Sequence, residues 1–210
     1  MVDYPCRSKP YAEWCDFSSR FLREGHTCHL IPEKSVMTGW IQSFSGRRIW
    51  PLDLTPDQVE LADIAHALAL KTRFNGHCLK FYSVAQHSVH VSDLVPPEDA
   101  KEGLMHDAAE AYLADIPRPV KPGIREWKAI EHRVETAIAE RFGLRFPFPP
   151  SIKIADNAVV LREREQIMAK PMPHMKWDVP GEPAKIDFNP WDWMIAQYNF
   201  LGRAKELGIE

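Results

Sequence analysis

Histidine and aspartate stand side by side at 106 and 107, inside the run LMHDAAEAYLADIPRPVK at 104–121. An imidazole nitrogen and a carboxylate oxygen offer a borderline divalent cation two unlike ligands from one rigid element. Consecutive helical residues diverge by about 100°, so the two can share an ion only if the seam between their faces points into the site. Glu110 follows at i+4 from His106 and i+3 from Asp107, which puts a third acid one turn away. Further ligands must then come from neighbouring helices, and two residues have the right character. His87 lies within an apolar stripe, where an unpaired imidazole would be costly to desolvate, and Asp156 interrupts the otherwise apolar start of a later helix. A cation compensates both.

The elements that must position these residues are legible as helices. Thr55-Pro56-Asp57-Gln58 has the layout of a capping box with proline at the first helical position, and Leu61, Ile64, Ala65 and Leu68 continue it as a stripe, predicting a helix over 56–71. Ser83 with Gln86 opens a second helix, on which Val84, His87, Val91 and Leu94 share one face. Pro96-Pro97-Glu98 ends it and starts a third that runs to about Leu113, carrying His106, Asp107 and Glu110 on one continuous element. A breaker-rich segment follows at 115–122. Trp127, Ile130, Val134, Ile138 and Phe142 then recur at helical spacing, with Gly143 as the left-handed cap. Another helix runs from Ser151 to about Met168 with Asp156 in its first turns. Five prolines between Pro171 and Pro190 mark an irregular connection. Asn189-Pro190 then caps a last helix with Trp191, Met194, Tyr198 and Leu201 inward. Around Ser45-Gly46, two short apolar-aromatic pieces predict a small hairpin at 41–50. The fold class is therefore all-α, a helical bundle with a small β-hairpin near the N-terminus; residues 1–38 read as an extension and 39–210 as the domain.

Composition narrows the function. A chain of 210 residues with 45% hydrophobic and 26% charged residues has the make-up of one ordinary globular domain with extensions. A net charge of −3 argues against a nucleic-acid polymer as partner and favours a small anionic ligand. No stretch approaches the roughly 20 apolar residues of a membrane span, and the N-terminus lacks a basic-then-apolar leader, so no membrane is expected and the location is read as cytoplasmic. Cys6, Cys15, Cys28 and Cys78 stand at unrelated spacings and read as reduced thiols. The group His26, Cys28 and His29, with Cys6 and Cys15 upstream, matches no compact zinc module.

The ordered set His87, His106-Asp107, Asp156, together with Arg73-Phe74-Asn75-Gly76-His77, the run FYSVAQH at 81–87 and the run from Leu104 to Lys121, resembles the HD-domain metal-dependent phosphohydrolases. Within that family it resembles the bacterial 5'-deoxynucleotidases and the prophage HD hydrolases, over about residues 41–165. The resemblance implies His87, His106, Asp107 and Asp156 as ligands of one divalent ion, drawn from Mn, Co, Fe, Ni, Zn or Mg. It implies Glu110 and Asp115 as the catalytic acids that orient or deprotonate water and protonate the leaving oxygen. Arg73 and Lys121 match basic positions that face the phosphate. His77 closes the same RFNGH run, and a structural and a substrate-contacting role both stay open for it. His90 has no counterpart in the motif and reads as a hydrogen-bonded histidine outside the ligand set. The implied substrate is a nucleotide, foremost a 5'-(deoxy)nucleoside monophosphate, and such relatives are often homodimers. Hydrolysis of an alarmone or nucleoside triphosphate is the alternative within the superfamily, although alarmone hydrolases carry HDxxED and Glu110 is followed here by Ala111. A non-catalytic, metal-containing nucleotide sensor is the alternative from another class.

Overall fold

The computed structural model describes residues 39–174, 177–187 and 189–210. The expected extension over 1–38, with its cysteines and His26 and His29, lies outside the described residues; Cys78 is a free thiol. The hairpin forms as β1 (Ile41–Gln42) and β2 (Arg48–Ile49), antiparallel with Ile41 opposite Ile49. Gly46 supplies the positive φ of 81° that its turn requires. The buried Asp63 fastens this turn to the first helix, accepting from the Ser45 backbone N–H at 2.6 Å and from its hydroxyl at 2.9 Å.

Everything else is helix or connection. Among the described residues six α-helices follow: α1 (Leu61–Leu70), α2 (Val84–Leu94), α3 (Ala100–Met105), α4 (Trp127–Phe142), α5 (Pro150–Ile167) and α6 (Trp193–Glu206). No helix among the described residues is long and apolar enough to cross a membrane. Helix α2 is the centre, packed against α1, α3, α5 and α6. Eight of its residues, from Val84 to Ser92, are buried, His87 completely. Its start is as the sequence predicts, with the Ser83 hydroxyl accepting from the Gln86 N–H at 3.1 Å.

Three expectations change. The capping box at Thr55 forms, but it closes a single 3₁₀ turn over Pro56–Gln58. Val59 and Glu60 are extended before α1 begins, because tertiary partners take up their backbone groups: Arg141 Nε donates to the Val59 carbonyl and the Glu60 N–H donates to the Tyr112 hydroxyl. The predicted helix from 97 to 113 is broken into a 3₁₀ turn at Pro97–Asp99, the six-residue α3 and a second 3₁₀ turn at Ala108–Ala111. On α6 the inward face is Ala196, Phe200 and Ala204, whereas Met194 and Tyr198 are exposed. Small residues flanking one phenylalanine let α6 lie close to α1 and α2, which the larger pair would have prevented. Its N-cap is Asp192 rather than the expected Asn189-Pro190, and the Asp192 carboxylate accepts from the Met194 N–H at 2.9 Å. The end of α4 at Gly143, φ 64°, agrees with the sequence reading.

The approach of α3 to α2 depends on Gly103. A methyl group there would meet the Ser92 Cα at 3.0 Å and the Val95 Cγ2 at 3.0 Å. Since Ser92 is helical backbone and cannot yield as a side chain end would, Gly103→Ala should lower stability by about 1–3 kcal/mol despite the better helix propensity of alanine. Urea denaturation measures this, and a variant at least as stable as the parent would show that the two helices have slack.

Candidate metal centre

Three segments converge at one end of α2. His87 comes from its buried face, His106 and Asp107 from the chain leaving α3, and Asp156 from the second turn of α5. His87 Nε2 lies 3.3 Å from Asp156 Oδ1 and 3.8 Å from Asp107 Oδ2, and His106 Nε2 lies 3.3 Å from the same Asp107 oxygen. One donor atom each from His87, His106 and Asp156 falls within 4.8 Å of the others, an arrangement that could hold a metal ion. The break after α3 serves this geometry. At Asp107 the backbone leaves the helix (φ −101°, ψ 11°), so neighbouring residues need not diverge by a full helical step and both reach the same point.

Each imidazole is held from behind. His106 Nδ1 donates to the Gly103 carbonyl at 2.8 Å, and His87 Nδ1 donates to Glu163 Oε1 at 2.7 Å. Both outer nitrogens therefore point Nε2 inward, where they are buried without a hydrogen bond of good geometry. Holding the far nitrogen fixes tautomer and ring orientation, as in carboxylate–histidine–metal arrangements. Two imidazole nitrogens and the Asp156 carboxylate, with Asp107 alongside, are donor types that suit a borderline divalent cation.

Glu163 is the residue that the sequence reading lacks. It is completely buried on α5, seven residues after Asp156 and so on nearly the same face. Besides His87 it meets Arg73 Nη2 at 3.4 Å and the Tyr82 hydroxyl. Burial disfavours its charge, but His87 and Arg73 overcome that and hold the carboxyl below its usual range. The signal that could have found it is the spacing from Asp156 itself.

Arg73 is buried between two acids, Glu163 and Asp107, the latter with its Oδ2 3.6 Å from Nη1. Phe74 and Asn75, at φ 53° and 51°, followed by Gly76 at 82°, turn the chain back immediately after it. Consecutive left-handed residues other than glycine carry strain that the surroundings must hold. His77 ends this turn exposed, and the structure does not join it to the cluster. Lys121 donates to Glu131 Oε1 at 2.7 Å. His90 packs on Trp191, with ring centroids 5.4 Å apart, outside the ligand set.

Glu110 sits beside the cluster with Oε2 buried and unpartnered. Burial, then the charges of Asp107 and Asp115, push its carboxyl up to about 9. Asp107 goes the other way: His106, His87 and Arg73 outweigh its burial and keep it far below the ordinary carboxylate range. Two neighbouring carboxyls with opposed protonation are the pattern of acid and base chemistry. Lys71 Nζ holds the segment from below, donating to the carbonyls of Glu110 and Leu113.

Comparison with known proteins adds kinship without an activity. The chain is 41% identical over 128 residues to the uncharacterized protein YfdR of Escherichia coli strain K12, covering 61% of this chain and 72% of that one. It is 38% identical over 142 residues to the uncharacterized protein RCAP_rcc00048 of Rhodobacter capsulatus, with the same coverage of 61% and 72%. The chain therefore belongs to the family of these two proteins. No family model matches it.

Two outcomes follow from the buried charges. Glu163→Ala leaves Arg73 and His87 without their shared anion and should cost about 3–5 kcal/mol, whereas Glu163→Gln keeps volume and an acceptor and should cost less; equal urea midpoints for parent and alanine variant would contradict the pairing. In chelator-treated protein, burial and Arg73 pull His87 down, but Glu163 and Asp156 raise it from 6.5 to about 9. Glu110 is raised from 4.5 to about 9. Groups raised on folding contribute stability that is present below the unfolded value and lost as pH climbs through the folded one. The melting temperature should thus fall between pH 6.5 and 9, and fall less steeply in Glu110→Gln, as scanning calorimetry can measure.

Proposed function

We propose that this protein is a metal-dependent phosphohydrolase of the HD type that cleaves the phosphate ester of a nucleotide, foremost a 5'-(deoxy)nucleoside monophosphate. The observation that carries this is the convergence of two buried, inward-pointing Nε2 atoms with Asp156, with Asp107 3.3 Å from His106 Nε2, beside a carboxyl pushed up to about 9. His87, His106, Asp107 and Asp156 would hold the ion, which when bound supplies Lewis acidity toward a phosphoryl oxygen and a field that eases loss of a proton from water.

The chain's own groups divide the remaining work. Glu110 holds a proton at its carboxyl and delivers it to the departing ester oxygen, where an alkoxide would otherwise form. Asp115, whose negative charge helps to keep that proton on Glu110, is the second acid and receives the proton that the attacking water loses. Exchange with solvent then restores both. Arg73 steadies Asp107 and Glu163 together, so that a carboxylate facing the ion and the one behind His87 keep their spacing. Lys71 fixes the backbone that carries Glu110.

Protein loaded with Mn or Co should release inorganic phosphate from nucleoside monophosphates. Glu110→Gln should reduce kcat by about 10²- to 10⁴-fold while the metal content is retained. A panel of mono-, di- and triphosphates that bind the loaded protein without any turnover would overturn hydrolysis and leave a nucleotide sensor.

A further inference from the structure

Among the described residues, Arg73, Lys121, Lys153 and Arg118 stand near the cluster and differ in freedom. Arg73 is 11% exposed and committed to Glu163 and Asp107. Lys121 is committed to Glu131. The other two share a different partner, the outward oxygen of Asp156. Lys153 Nζ lies 2.6 Å from Asp156 Oδ2 and Arg118 Nη2 lies 3.6 Å from it, while Oδ1 of the same carboxylate faces His87. Their side chains are 59% and 55% exposed, against 13% for Asp156. Lys153 comes from α5 and Arg118 from the connection at 115–122, so the two flank one carboxylate from separate elements.

A carboxylate shared in this way has a definite consequence when a cation takes its inner oxygen. The negative charge that holds Lys153 and Arg118 is then partly neutralised, and two long, solvated side chains beside the ion gain an unmet demand for anionic oxygen. A phosphoryl group is the anion that the proposed reaction brings there. Guanidinium can grip two of its oxygens at once and ammonium a third, interactions stronger than those between neutral groups. Arg73 cannot swing into that role without abandoning Asp107 and the fully buried Glu163, which would be left as an uncompensated charge.

We propose that Arg118 and Lys153 form the phosphate-binding subsite of this centre, gripping the terminal phosphoryl oxygens of the substrate, while Arg73 acts as a positioning residue. This rests on the metal-dependent reading above. The test uses the full chain loaded with Co and titrated with inorganic phosphate, followed by calorimetry and by the visible absorption of the bound ion. Arg118→Ala should weaken phosphate binding by about tenfold, and the double variant with Lys153→Ala by more. KM for a nucleoside monophosphate should rise in parallel, and Arg118→Lys should recover part of the loss. Affinity for Co itself should hold or improve, since two positive charges near the ion are removed; that separates loss of the subsite from loss of the fold. Phosphate affinity and KM within twofold of the parent in the double variant would overturn the subsite alone, as would a parent that binds Co but no phosphate. A parent that binds no Co overturns the metal reading and the subsite with it.

Discussion

The hydrogen bond from His87 to Glu163, 2.7 Å long and sealed from solvent on both sides, is the constraint around which this domain is arranged. It joins α2, which touches four other helices, to α5, and it does so with ionisable groups that burial alone would forbid. Arg73 makes the arrangement affordable by adding a positive charge to the same carboxylate. The left-handed turn at Phe74 and Asn75 follows directly on that buried arginine. Hydrophobic packing around α2 and the buried ionic pair together fix how α2 meets α5.

Much of this was visible in the chain, and the gaps have physical causes. Helices α2 and α4 and the hairpin follow from caps, periodicity and a turn glycine, because local signals and tertiary packing agree there. The continuous helix over 97–113 does not survive, since Asp107 must turn toward the same point as His106 and Arg145 ties Asp99 and Glu102 to the chain after α4. On α6, size misled: large side chains at Met194 and Tyr198 look like a core face, yet close approach to α1 and α2 selects the alanines.

The candidate site shows the same division. His87, His106, Asp107 and Asp156 are brought together as their residue types and order suggest, and Glu110 stands beside them. Glu163 was hidden because a glutamate on a charged helix stretch, REREQI, looks solvated until the partner helix is known. Arg73 and Lys121 could be recognised as basic, but sequence does not show which acids have already claimed them. Arg118 and Lys153 carry no sequence signal for the converse reason: what distinguishes them is a shared neighbour, Asp156, which lies 38 residues after Arg118 in the chain.

The close contact at Gly103 reaches further than packing. The same residue lends its carbonyl to His106 and its missing side chain to the α2–α3 contact, so the ring orientation at the cluster and the spacing of two helices are set by one backbone unit. No short stretch of the chain contains the whole donor set, and a nascent or unfolded polypeptide has nothing resembling it. If the site holds a cation as proposed, its capture would follow assembly of α2, α3 and α5, and occupancy would report native order.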